Sequence, residues 1–120
     1  MAKTAITCNS AEPSSIFPTF ILASAAAACG DDVVIFFTVG GAPAMAKGEL
    51  EKMNDGKGKG LPDLMELYDG FCVLGGKIIV CELILGAKDL KAEDLRAGVE
   101  ITGATSFLGE ISDAQITFSF

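Results

Sequence analysis

Two short runs constrain this chain most: Val33-Val34-Ile35-Phe36-Phe37-Thr38 and Lys77-Ile78-Ile79-Val80-Cys81. Both are rich in β-branched or aromatic residues, and neither alternates between apolar and polar positions. A strand with one wet face alternates, whereas a strand buried on both faces reads as a continuous apolar run. In a chain of 120 residues this predicts a parallel sheet between helices. Parallel strands need crossover connections, and those connections cover the faces of the sheet.

The remaining segments supply such connections. Thr4 to Cys8 reads as a first strand and Asn9 to Pro13 as its loop. Ser14 or Ser15 can cap a helix with Pro18 in its first turn; it runs to about Cys29 and stops at a left-handed Gly30. After the Val33 run, Val39 to Pro43 forms a strand-to-helix loop, and Pro43 opens a short helix through Ala46 or Lys47. Lys47 to Gly60 reads as the softest region. Its Asn54–Gly60 stretch is a solvated loop, or at most a lid, and lacks the Gly-Lys-Ser or Gly-Lys-Thr of a phosphate loop.

Pro62 to Leu74 has Leu64, Leu67, Phe71 and Leu74 at helical spacing, and Gly75-Gly76 ends it. Glu82 to Gly86 allows about one helical turn after Cys81. Asp89 to Arg96 suggests a short helix, Val99 to Thr102 a strand, and Gly103 to Leu108 another helix. Ala114 to Phe120 is a last strand whose alternation (Ile116, Phe118, Phe120) places it at an edge, where a bare strand favours a subunit contact. The expected architecture is one α/β domain over residues 1–120. It is a three-layer α/β/α sandwich on a largely parallel sheet of about five strands.

Composition narrows the function. Half of the residues are hydrophobic and the mean hydropathy is +0.46. In so small a domain this predicts an apolar surface shared with another copy, a homo-oligomer. The net charge of −7, with no Trp and one Tyr, argues against nucleic-acid or anionic-membrane binding. The absence of His removes the usual zinc ligand and general base. Asp89, Glu93 and Asp94 read as a solvated helix rather than a metal site, and no cofactor is expected. Met45, Met53 and Met65 are read as packing residues. The apolar stretch Ile16–Cys29 is shorter than the roughly 20 residues of a membrane span. Its Ala26-Ala27-Ala28-Cys29 faintly resembles a lipoprotein cleavage box, but a buried alanine-rich helix is the simpler reading.

Cys8, Cys29, Cys72 and Cys81 make no C-x-x-C pair. They fit neither a zinc ribbon nor a disulfide framework, so reduced thiols in a cytoplasmic protein are expected. Cys29 and Cys72 are assigned to the core. Cys81 ends a strand at the edge where open α/β sheets bind ligands. Amides of a following helix would favour its thiolate, a nucleophile and sulfur carrier. Glu82 opposes that ionisation if its carboxylate lies near the sulfur. The competing reading makes Cys81 a small buried hydrophobe. Cys8 also ends a strand; were the first and third strands neighbours, it could face Cys81 and accept sulfur, although simple packing is the plainer role. Thr38, Gly40 and Gly41 could offer amides to an anion such as sulfite, thiosulfate or phosphate. A tight turn with positive φ explains the glycines as well.

Three segments, in order and spacing, resemble the DsrE/DsrF-like sulfur-relay family. They are Ala25-Ala26-Ala27-Ala28-Cys29-Gly30 with Val33–Thr38 and Gly40-Gly41; Leu74-Gly75-Gly76-Lys77-Ile78-Ile79-Val80-Cys81; and Val99-Glu100 with Gly103-Ala104 and Phe107-Leu108. The resemblance runs from the first strand to about Leu108 and leaves out the Lys-Gly-rich loop. It implies an α/β sandwich assembled as trimers or hexamers. It also implies that Cys81 carries persulfide sulfur between donor and acceptor proteins or small persulfides. Chains of this kind also carry the label peroxiredoxin-like.

Three functions follow as expectations. The first is a sulfur carrier or sulfurtransferase-like protein, with Cys81 holding sulfur and Cys8, Thr38, Gly40, Gly41 and Glu82 lining its site. The second is a non-catalytic module for a small ligand or partner chain. The third, a thiol peroxidase, lacks the expected neighbouring Arg or His and a C-x-x-C pair.

Overall fold

The computed structural model describes residues 2–120. Five strands, β1 (Lys3–Cys8), β2 (Asp32–Phe37), β3 (Lys77–Cys81), β4 (Glu100–Thr102) and β5 (Ile116–Ser119), form one sheet. The order is β4-β3-β2-β1-β5, and every neighbouring pair is parallel. The three inner strands include both of the non-alternating runs. Val33 to Phe37 are all buried, as are Ile78 to Cys81.

Five helices connect the strands: α1 (Pro13–Ala28), α2 (Glu49–Asp55), α3 (Leu64–Val73), α4 (Ile84–Ala87) and α5 (Ala104–Glu110). The larger layer holds α1 to α4. There Phe20 of α1 meets Tyr68 and Phe71 of α3 edge-on, at centroid distances of 5.5 and 6.2 Å, over Ile6, Ile35 and Phe37 of the sheet. The opposite face carries a much smaller cluster of Val34, Phe36, Ile79, Cys81 and Phe107. Phe107 is its one helical member, contributed by α5. The sandwich therefore has three layers of unequal thickness.

Several local expectations need correction. α1 opens at Pro13 rather than Ser14 or Ser15, with Glu12 in the cap position and no side-chain cap. Pro at the first helical position takes over, because its missing N–H has no intrahelical partner there. Pro18 consequently lies inside the helix. Gly30 does adopt the left-handed stop, with φ 89°. Lys47–Gly60 is not wholly soft, since α2 forms within it on one buried anchor, Leu50. Asp63 caps α3 by accepting from the Met65 and Glu66 amides. Leu74, expected on the inner face of α3, is 55% exposed. Residues 89–96 form only a short 3-10 turn, Ala92–Asp94. Directly after that turn, Leu95 pairs with Ala46 in an antiparallel bridge.

Candidate functional site

The carboxyl ends of β1, β2 and β3 bring together residues far apart in sequence. In register, Cys8 lies opposite Phe37, and Phe37 opposite Val80. Side chains alternate across a strand, so Cys8, Phe37 and Val80 share the face under α1 while Cys81 points to the other face. The first and third strands are not neighbours, because β2 runs between them. The single crevice shared by Cys8 and Cys81 therefore does not form. Cys8 is fully buried and its thiol donates to the Ser10 carbonyl at 3.2 Å.

Cys81 is 6% exposed and belongs to the small cluster. Its register partner on β4 is Thr102. The amide of Glu82 donates to the Thr102 carbonyl at 2.9 Å, which carries the strand pairing one residue further. α4 is shorter and later than expected, and its buried residue, Ile84, packs in the larger cluster on the far side of the sheet. The helix after β3 thus packs on the face of the sheet opposite the thiol. The helix on the thiol's face is α5. Glu82 is exposed and its carboxylate lies at the start of α5, where a Cβ on Gly103 would meet Glu82 Oε1 at 2.9 Å.

Thr38, Gly40 and Gly41 meet Asn9, a residue the sequence reading passed over. Thr38 follows Phe37 directly, so it lies one step beyond the Phe37–Val80 pair, just past the end of β2. Its hydroxyl donates to Asn9 Oδ1 at 2.5 Å, and the Gly40 amide donates to the same oxygen at 3.1 Å. The Gly41 amide donates to the Thr38 carbonyl at 3.0 Å. These amides are thus occupied within the fold. Neither glycine has positive φ; the reason for both is space. A Cβ on Gly40 would strike the Asn9 carbonyl, and one on Gly41 the Cys8 carbonyl.

Cys29 and Cys72 are exposed, not core residues, since both lie near helix ends. Burial beside Tyr68 raises the Cys72 thiol above its ordinary value, opposed by a hydrogen bond with Tyr68. Next to them Arg96 stacks 4.6 Å from the centre of the Tyr68 ring and donates two hydrogen bonds to Glu51, at 2.7 and 3.1 Å. Two open cavities of about 390 and 380 Å³ lie at the opposite, amino end of the sheet, beside Asp31, Asp32 and Leu74 and beside Lys3 and Gln115. They are remote from Cys81. Among the described residues no cluster of His, Cys, Asp and Glu is arranged to hold a metal, and no helix is long and apolar enough to cross a membrane.

Fold and site define a small parallel α/β protein with a thiol at the carboxyl end of an inner strand. No family model matches the chain. The uncharacterised protein MJ0760 of Methanocaldococcus jannaschii is 31% identical over 100 residues, which make up 83% of this chain and 35% of that protein. The chain thus spans about a third of the length of that curated relative. Among solved structures, the ychN protein of E. coli matches with a TM-score of 0.79 at 19% identity, covering 100% of both chains. MTH1491 of Methanobacterium thermoautotrophicum, a protein of unknown function, matches with a TM-score of 0.72 at 12% identity, covering 98% of this chain and 97% of its own. At these identities the likeness is one of fold.

Proposed function

We propose that this protein is a sulfur carrier of the DsrE/DsrF-like kind, with Cys81 bearing the sulfur. The observation that supports it is the placement of Cys81. It ends an inner parallel strand at the carboxyl edge of the sheet, with Thr102 paired to it on β4, Thr38 just past the end of β2 and Glu82 next in the chain. The full-length likeness of fold to the ychN protein and MTH1491 agrees with the ordered motifs that suggested the family. The Cys81 thiolate attacks the outer sulfur of a persulfide donor, R–S–SH. A new S–S bond forms at Cys81, the donor's S–S bond breaks, and the donor leaves as a thiolate. An acceptor thiolate then attacks the outer sulfur, and Cys81 leaves as a thiolate in turn. The exchange consumes no external oxidant. Donor and acceptor are proteins or small persulfides, and the carrier is a cytoplasmic homo-oligomer, trimer or hexamer.

Mass spectrometry after treatment with a small persulfide tests the reading. One added sulfur is expected on the Cys81 peptide and none on it in Cys81→Ser. Transferable sulfur that persists undiminished in Cys81→Ser overturns the proposal.

A second reading is favoured by the 6% exposure of Cys81 together with the exposed Leu83, Leu85 and Leu108. It makes the chain a non-catalytic module whose apolar surface takes a partner, with Cys81 as packing. A Cys81 that never reacts with iodoacetamide in the native protein supports this alternative.

A further inference from the structure

We infer that α5 is a gate over Cys81, closed by Phe107 and latched by the ion pair between Lys77 and Glu110; the inference rests on the sulfur-carrier reading. A carrier needs a reachable thiol, yet Cys81 is 6% exposed. The cover on its face is thin. Of the five buried residues there, four come from strands and one, Phe107, from α5. α5 has seven residues, buries only Phe107, and has no side-chain cap at Gly103. The Phe107 ring stacks on Phe36 with centroids 4.4 Å apart and planes 14° from parallel.

At the far end of α5, Lys77 Nζ donates to Glu110 Oε1 at 2.6 Å, and Lys3 Nζ donates to the Glu110 carbonyl. Lys77 and Glu110 are 38% and 28% exposed, so salt reaches the pair. The Phe107 stack, the partly buried Ile111, the screened ion pair and the Lys3 hydrogen bond are all that the contacts show holding this short segment, and together they hold it at low cost. Segments with few buried apolar contacts open without global unfolding. Cys8, on the other face, lies beneath the 16-residue α1, a far heavier cover that α5 does not touch. Opening α5 exposes Cys81 and leaves Cys8 shut.

The experiment is alkylation of the native full chain by iodoacetamide, read peptide by peptide for all four cysteines. Cys29, which is exposed, reports the general rate. Phe107→Ala is expected to speed Cys81 at least tenfold over the wild type. Glu110→Gln is expected to speed it severalfold at low salt and less at high salt, with Cys8 unchanged in both. The inference is overturned if Cys81 in Glu110→Gln keeps the wild-type rate, or if Cys8 accelerates alongside Cys81, which signals global unfolding. Glu110→Gln carries the test on its own should Phe107→Ala not fold. A Cys81 that alkylates faster in the variants but takes no sulfur from a persulfide keeps the gate and removes the carrier. Sulfur uptake at Cys81 with unchanged variant rates does the reverse.

Discussion

Cys8 and Cys81 end two strands of one sheet at the same edge, yet their side chains lie on opposite faces with β2 between them. Adjacent strands are about 4.8 Å apart, so two spacings give about 10 Å between the chains. A disulfide needs Cα atoms within about 7 Å and converging Cβ vectors. Mild oxidation is therefore expected to leave no Cys8–Cys81 crosslink within a chain in non-reducing peptide maps. Finding that crosslink as a main product overturns the strand order as well as the face assignment.

Gly40 and Gly41 are expected to tolerate no side chain. At Gly40 an added Cβ meets the Asn9 carbonyl and, at 2.8 Å, Asn9 Oδ1; at Gly41 it meets the Cys8 carbonyl. Backbone cannot yield as a flexible side chain does, so Gly40→Ala and Gly41→Ala should each cost about 1–3 kcal/mol. Gly109 is the control. A Cβ there has nothing within 4 Å, and within α5 alanine should stabilise by about 0.5–1 kcal/mol. Urea midpoints of the three variants test the contrast, and equal shifts at Gly40 and Gly109 would count against it.

β3 was legible to the residue because Lys77–Cys81 is bounded by Gly75-Gly76 on one side and turns at Glu82 on the other. The layered parallel fold was legible for the same reason: continuous apolar strands must be covered on both faces. Strand order was not, because Cys8 and Cys81 carry no local mark of what lies between them. α2 was missed because Leu50 is its single buried residue among charged neighbours. Asn9 was missed because Asn-Ser before Pro13 reads as a turn. Its partners, Thr38 and Gly40, lie 29 and 31 residues away and meet it only through the sheet. The exposure of Cys29 and Cys72 was hidden because a thiol in an apolar helix reads as a core residue even at the helix end, where its side chain can point to solvent.

Glu51 and Arg96 give a pH-dependent prediction. The hydrogen bond from Arg96, more than any other influence, holds the Glu51 carboxyl below its ordinary value. A carboxyl lowered on folding stabilises the fold above the unfolded value, about 4.3, and that stabilisation fades as pH falls through the folded value. Glu51 is 47% exposed, so the gain is discounted to about 0.5–1 kcal/mol. Glu51→Gln should lose about that much at neutral pH, and its deficit against the wild type should shrink as pH falls below the unfolded value. Chemical unfolding across that range checks it; an offset that does not change with pH removes the ion pair as its cause.

Cys72 should be a slow thiol despite its exposure. Burial of its surroundings raises its proton affinity most, the Asp69 carboxylate adds to this, and Tyr68 and Arg96 oppose it. Only the thiolate alkylates, so a raised thiol reacts less at a given pH. The pH profile of Cys72 alkylation should bend above the usual thiol value of about 8.5. Tyr68→Phe removes the hydrogen bond that lowers the thiol while keeping the ring that packs on Phe20 and Arg96. The bend should then move to still higher pH with little change in fold. A downward move would mean that the Tyr68 hydroxyl disfavours the thiolate, and an unchanged bend that the ring alone sets its environment.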